Sequence, residues 1–291
     1  MIPTSLTRRL CLPLLYVLLL ASCSRPAAQA AAGSADTHDD EVLGHYLTER
    51  DTEMVFNNFL SRILDQAGIP PELGGRIQAL STESPAFILD LLTCLNEEAA
   101  LRALVDKQHA LPTGYEPDDL VTLTGIAGGA SYQVSRDGLR LRKAAEAALE
   151  EMAASAKADG VTLMASSTYR SYDYQVDVYA RNVRDSGQET ADRESARPGH
   201  SQHQTGLVVD FGSIDDSFAE TNAGRWILAN ASRFGWSLSF PDGYEAVTGY
   251  RWECWHYRYV GRDLAAFIDN YFGGIQQYAL QFIYEWEQEE A

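Results

Sequence analysis

The chain has 291 residues, 45% of them hydrophobic, enough for one full-sized core or for one core with a small satellite. Its 23 Lys and Arg stand against 41 Asp and Glu, for a formal net charge of -18. That balance argues against nucleic acid and against a polybasic membrane-surface patch; it describes a solvated surface and names no partner.

In chain order, Arg8 and Arg9 form a short basic start, and residues 10–21 form an apolar run. The run has signal-peptide length and falls short of the ~20 apolar residues that span a bilayer. It ends in Leu20-Ala21-Ser22-Cys23, which resembles a bacterial lipobox. On this reading residues 1–22 are a lipoprotein signal peptide, Cys23 is lipidated, and the chain is exported and held on a bacterial membrane, facing the periplasm or cell wall. Each buried CH₂ of the acyl chains contributes ~0.8 kcal/mol to that anchor. The plainer alternative is a secretory signal that happens to be followed by a cysteine.

Residues 23–41, rich in Ala, Ser, Gly and Asp, read as a flexible tether. Residues 42–105 predict a helical region. Met54, Phe56, Phe59, Leu60, Ile63 and Leu64 fall near one face, and Gly68-Ile69-Pro70-Pro71 breaks the run before a second one starts at Phe87. After a loop carrying Pro112, Gly114 and Pro117, residues 139–156 predict an amphipathic helix stopped at Asp159-Gly160. Strands are expected at 161–166, 207–211 and 256–260. Helices are expected at 172–183, 225–233 and, for the most part, 264–288. Together these make an α+β domain over 106–291, a small antiparallel sheet flanked by helices. Cys11 leaves with the signal and Cys23 is acylated, so Cys94 and Cys254 remain. Export permits a disulfide between them, although two separate buried thiols are the preferred reading.

Of the six histidines, His203 and His256 stand in the densest polar clusters. Zinc accepts imidazole nitrogen and carboxylate oxygen, and a catalytic site keeps three protein ligands with one position open. His203, Asp210 and His256 would make such a set. Asp210 ends an apolar strand, where an isolated charge is costly to bury and a metal would offset the cost. Gly206 permits a sharp turn between loop ligand and strand ligand. Glu253 lies three residues before His256, so in a regular strand the two would face opposite ways. The segment must therefore turn, or be locally helical, for both to meet one metal. Glu253 would then be the general base, taking a proton from water and delivering it to the departing amine. Spacing alone leaves open that these groups are ordinary satisfied core or strand-end residues.

Three segments go further. Ser167-Thr168-Tyr169-Arg170-Ser171-Tyr172-Asp173-Tyr174-Gln175, Arg197-Pro198-Gly199-His200-Ser201-Gln202-His203-Gln204-Thr205-Gly206 running on to Asp210, and Glu253-Cys254-Trp255-His256-Tyr257-Arg258-Tyr259-Val260-Gly261 resemble the motifs of the VanY-type D-alanyl-D-alanine carboxypeptidases, a zinc metallopeptidase family. Upstream, Leu104-Val105-Asp106-Lys107 with Leu111-Pro112 and Tyr115-Glu116-Pro117 is similar to the same family. The resemblance covers residues 104–268. It implies a Hedgehog/DD-peptidase-like zinc peptidase fold with one zinc ion (Zn2+) per chain, held by His203, Asp210 and His256. It implies Glu253 as catalytic acid/base. It implies Arg170 as the group that stabilises charge on the scissile carbonyl or grips the substrate carboxylate, both tasks that suit a guanidinium fork. Gln175 and Ser201 match positions near the substrate. Cys254 departs from the pattern, since relatives usually carry proline or a small residue there; a thiol beside the metal could become a ligand or oxidise.

The implied reaction removes the C-terminal D-alanine from peptidoglycan stem peptides. Relatives with the same ligands include L,D-carboxypeptidases acting on tetrapeptide stems, dipeptidases and endopeptidases. A non-catalytic zinc-bearing lipoprotein that binds wall peptides is the second class of function, although relatives that lost catalysis usually lack the glutamate that Glu253 supplies here. A lipoprotein scaffold docking partners through 42–105 is the third. Among the other histidines, His200 reads as a solvent-facing loop residue, His109 as structural and His38 as solvated. Trp236, Trp252 and Trp255 read as core or cleft wall.

Overall fold

The computed structural model describes residues 49–289. The expected signal peptide, the expected lipidation at Cys23, the expected tether and His38 lie outside the described residues. The described chain divides into two compact units. One runs up to Leu92 and takes in the C-terminal end from Glu285; the other is Thr93–Tyr284.

In the first unit, α1 (Glu49–Gln66), α2 (Pro71–Glu83) and the start of α3 (Ala86–Asn96) are helical. Gly68, at φ 65°, ends the turn after α1, and Pro71 opens α2 at a position where its missing N–H costs no bond. Phe56, Leu60 and Ile63 recur at helical spacing and are buried. Met54, expected on that face, is 53% exposed. It precedes Phe56 by two residues, about 200° around the helix, and so faces away.

The second unit holds the sheet. Its strands are β2 (Gln133–Val134), β4 (Met164–Ser167), β5 (Val208–Phe211), β6 (Trp236–Leu238) and β7 (His256–Tyr259), in spatial order β2-β4-β5-β7-β6. The pairings are antiparallel except at one edge, where β2 runs parallel to β4. A separate antiparallel pair joins β1 (Leu120–Thr122) to β3 (Arg140–Arg142). This pair corrects the expected helix over 139–156: Arg140-Leu141-Arg142 alternates with period two and buries Leu141, and the helix α5 begins only at Lys143, running to Ala158. α5 lays Ala145, Leu149, Met152 and Ala156 into one core with Phe211, Trp236 and Tyr257. There Phe211 meets Trp236 and Tyr257 at ring-centroid distances of 6.2 and 6.0 Å.

One other expected helix is also redrawn. The one at 225–233 starts earlier, as α8 (Asn222–Asn230), because Thr221 Oγ1 accepts the Gly224 N–H at 2.9 Å and caps it. Residues 264–288 are mainly helical, as expected, in two pieces, α10 (Arg262–Phe272) and α11 (Gln276–Glu289). Gly273 and Gly274, at φ 63° and 80°, turn the backbone out of the right-handed helix between them. Cys94 and Cys254 are buried and not joined in a disulfide. No described helix is long and apolar enough to cross a membrane.

Candidate metal centre

The register of β5 with β7 sets Asp210 directly opposite His256. Residues opposite each other in an antiparallel pair project to the same face, so the pairing alone brings a carboxylate and an imidazole together. His203 reaches them from a single 3-10 turn, Gln202–Thr205, that feeds β5. Gly206 ends that turn at φ 72°, where a Cβ would come within 2.9 Å of Arg142 Cγ and Leu120 Cδ2. The turn therefore closes only with glycine. One donor atom from each of His203, Asp210 and His256 lies within 4.8 Å of the others, and all three residues are buried.

Partners on the far side of each ring set the tautomers. His203 Nδ1 donates to the Thr168 carbonyl at 2.7 Å, leaving the Nε2 lone pair facing Asp210 Oδ2 at 3.2 Å. His256 Nε2 donates to Gln202 Oε1 at 3.2 Å, leaving the Nδ1 lone pair 3.1 Å from Asp210 Oδ1 and 3.4 Å from Glu253 Oε2. The angle between His256 Nδ1 and Asp210 Oδ1 does not make a hydrogen bond, and Oδ1 is a buried acceptor with no partner among the described residues. Two inward-facing imidazole nitrogens and an orphaned carboxylate oxygen form a donor set that a divalent cation satisfies. The residues fit zinc.

The electrostatics agree. Burial lowers the His203 pKa to about 4, with Arg170 adding to the effect, so the ring stays neutral and available as a ligand. Burial alone would lower His256 too, but Asp210 and Glu253 outweigh it and raise the pKa to about 9. A metal therefore has to compete with a proton there. Burial would also raise the Asp210 pKa, yet the two imidazoles hold it well below the ordinary carboxylate range. Glu253 goes the other way, because burial pushes its pKa up.

The segment before β7 turns at Cys254-Trp255, with the His256 N–H donating to the Glu253 carbonyl at 3.2 Å. This turn lets Glu253 and His256 converge, as the sequence required. Arg170 reaches the same cluster: its Nη2 lies 2.8 Å from His203 Nε2 and 3.2 Å from Asp210 Oδ2. All of these side chains line a cleft of about 480 Å³, with Ser201, Gln202 and Trp255 on its wall. That volume suits a small ligand or a short peptide end.

The remaining candidates fall around this cluster. Gln175 is fully buried and lies behind the cleft wall. Its Oε1 accepts from Arg170 Nη1 at 3.2 Å and its Nε2 donates to the Ala196 carbonyl at 2.7 Å, so it holds the arginine rather than facing the cleft. The Cys254 thiol sits toward the Asp215 and Asp216 carbonyls, 3.7 and 3.8 Å away, and is not in the donor cluster. His200 is tethered, its Nδ1 2.7 Å from the Asp106 carbonyl, and lines the cleft instead of facing solvent. His109 is 2.8 Å from Asp106 Oδ1, a structural contact. Trp236 is core, and Trp255 is cleft wall. Sequence reasoning missed two supports. Thr168 acts through its backbone carbonyl, which no side-chain pattern signals. Gln202 stood in plain view beside His203, but nothing in the motif distinguished its role.

The fold and the site together define a metallohydrolase with a two-histidine, one-carboxylate centre. A sequence profile described as "VanY: D-alanyl-D-alanine carboxypeptidase" matches residues 138–262. The putative carboxypeptidase YodJ of Bacillus subtilis (strain 168) is 37% identical over 188 residues, covering 62% of this chain and 68% of YodJ. Among solved structures, an LdcB LD-carboxypeptidase shares 36% identity with a TM-score of 0.53, over 60% of this chain and 86% of its own. A variant of a D,D-pentapeptidase VanY from a VanB-type resistance cassette, in complex with Zn(II), shares 29% identity with a TM-score of 0.50, over 62% and 99%. The chain belongs to the VanY family of D-alanyl-D-alanine carboxypeptidases, which are zinc-dependent peptidases.

Proposed function

We propose that the chain removes the C-terminal D-alanine from peptidoglycan stem peptides, with His203, Asp210 and His256 holding the zinc ion, Glu253 as acid/base and Arg170 as the charge-stabilising or carboxylate-gripping group. The observation that carries this reading is the approach of Glu253 Oε2 to within 3.4 Å of His256 Nδ1, in a cleft shared with Arg170. When bound, zinc lowers the pKa of water toward ~7 and polarises a carbonyl. Glu253, buried with its pKa pushed up, then accepts a proton from the attacking water and returns it to the leaving amine. Arg170, oriented by Gln175 and by Ser167 Oγ at 3.3 Å, offers N–H groups to the oxygen on which negative charge grows. Ser201 lies on the wall where the substrate's end would rest.

Incubating the zinc-loaded protein with pentapeptide and tetrapeptide stems and weighing the products tests the proposal. D-alanine released from the pentapeptide is expected. The 36% identity to an LD-carboxypeptidase supports a second reading, L,D cleavage of tetrapeptide stems, which release from the tetrapeptide alone would establish. Tight binding without release from either would leave a wall-peptide binding protein.

The placement of this chemistry is part of the same proposal. Residues 1–22 serve as signal, Cys23 is lipidated, 23–41 act as tether, 42–105 form a helical region and 106–291 the catalytic domain. Mass measurement of the mature N-terminus, and loss of membrane association in Cys23→Ala, test it.

A further inference from the structure

Four arginines line the cleft, and three are committed to other groups. Arg170 is engaged with His203 and Asp210. Arg251 holds Asp216 through Nη2 at 2.6 Å. Arg136 donates Nη1 to the Ser166 carbonyl at 2.9 Å. The fourth, Arg181, is exposed, lines the cleft, and among the described residues has no hydrogen-bond or ion-pair partner. The acidic residue four positions further along its helix, Asp185, is taken by Arg184 at 3.0 Å. An unpartnered cation at a binding cleft stands out in a chain of net charge -18. The protein's overall field repels anions, and a lone guanidinium reverses that locally.

Its position says what it could meet. Tyr174, Val178 and Arg181 recur every three or four residues along α6 (Tyr172–Ser186), so one face of this helix forms a wall of the cleft. α6 begins two residues after Arg170, whose side chain reaches the metal centre. From Tyr174 to Arg181 the helix rises about 10 Å. An extended peptide covers ~3.3–3.6 Å per residue, so that distance corresponds to about three residues.

We propose that Arg181 is a specificity-determining residue that pairs with a carboxylate carried by the peptide substrate upstream of the residue removed. This rests on the peptidase reading above for its substrate class. An exposed ion pair is modest, so the effect is a few-fold, about tenfold at most, and it weakens as salt rises.

The probes are two synthetic peptides ending in D-Ala-D-Ala that differ only in a free carboxylate or its amide at that upstream position. Their dissociation constants are measured by calorimetry on the full zinc-loaded chain, and their KM and kcat in parallel. The carboxylate peptide is expected to bind a few-fold more tightly and to show a lower KM with unchanged kcat. Arg181→Gln removes the preference, and Lys157→Gln, a charge loss at an exposed position outside the cleft, leaves it intact. Equal binding of the two peptides by the unmodified chain overturns the proposal. So does a preference that survives in Arg181→Gln or disappears equally in Lys157→Gln. Discrimination in binding without hydrolysis of either peptide would support this subsite while removing the peptidase reading, so the two fail separately.

Discussion

Gln202 Oε1 stands 3.2 Å from His256 Nε2 and also accepts the Ser239 hydroxyl at 2.8 Å. With the Ser239 hydroxyl donating, this oxygen is anchored as an acceptor, so the nitrogen of His256 that faces it must carry the hydrogen and the other nitrogen must turn its lone pair on the metal centre. Gln202→Leu removes that constraint while keeping comparable volume. Groups that orient a ligand in this way typically contribute 10–100-fold in metal affinity. Zinc affinity, read by competition with a chromophoric chelator, should fall by about that range in Gln202→Leu, and less in Gln202→Glu, which still accepts from Nε2. Unchanged affinity in the leucine variant would show that His256 needs no such help.

Gln175 plays the matching part for Arg170, accepting from Nη1 at 3.2 Å while its own amide is tied to the Ala196 carbonyl. Gln175→Ala frees the guanidinium and strands a buried carbonyl, at a stability cost of about 1–3 kcal/mol. The catalytic effect should be separable from that cost. In Gln175→Ala, turnover falls by about tenfold or more as Arg170 loses its aim, while zinc affinity, set by other residues, stays. Gln175→Glu, which still accepts from the arginine, recovers part of the turnover. Zinc loss in parallel with turnover would instead mean that the substitution had disturbed the whole centre.

The parts of this centre that were legible in the sequence are those whose side chains form the converging donor cluster. His203, Asp210 and His256 are few, polar and set in motif-rich surroundings, and strands are already expected at 207–211 and 256–260, which carry two of them. Their supports are harder to read. Thr168 contributes a main-chain oxygen, which leaves no trace in residue identity, and Gln175 is two turns of reasoning removed from the substrate, because it acts through Arg170. Elements of two or three residues such as β1, β2 and β3 are too short for a period to show, so Arg140-Leu141-Arg142 vanished into the helix that follows it. Met54 is apolar but lies about 200° around the helix from buried Phe56, so its hydrophobicity alone does not place it on the core face.

Arg258 belongs to the same motif as His256 yet has no place in the cleft. It is fully buried, and its Nη2 donates to the carbonyls of Ala100, Leu101 and Ala103 at 3.2, 3.2 and 2.9 Å. It thus ties the short helix α4 (Ala99–Arg102) to the sheet strand β7. Burial lowers its pKa to about 10, a sign that the charge is held at a cost. Arg258→Met relieves that cost but orphans carbonyls at ~1–3 kcal/mol each, for a net destabilisation on the order of 2 kcal/mol. Urea unfolding with zinc removed by chelator, so that metal binding does not mask the change, should show the loss. A variant as stable as the parent would mean that water replaces the guanidinium without penalty.

Glu253 offers the sharpest test of the mechanism, because its burial shifts its pKa in a direction that activity reports. The carboxylate form is the base, and a raised pKa means that this form is populated only at higher pH than for an ordinary glutamate near ~4.3. The sign follows: kcat/KM rises with pH through the Glu253 ionisation, and its acid limb lies above the usual carboxylate range. A second group could give an acid limb, since His256 must shed its proton before it can hold a metal. Zinc content measured across the same pH range separates the two. If Glu253 sets the limb, activity falls on acidification while zinc remains bound. Glu253→Gln should then lower turnover by ~10²–10⁴-fold, the usual contribution of a positioned acid/base. It should keep its zinc, because Glu253 is not one of the three converging donors. A glutamine variant with undiminished turnover would remove Glu253 from the chemistry, and one that loses zinc would make it part of the metal's support instead.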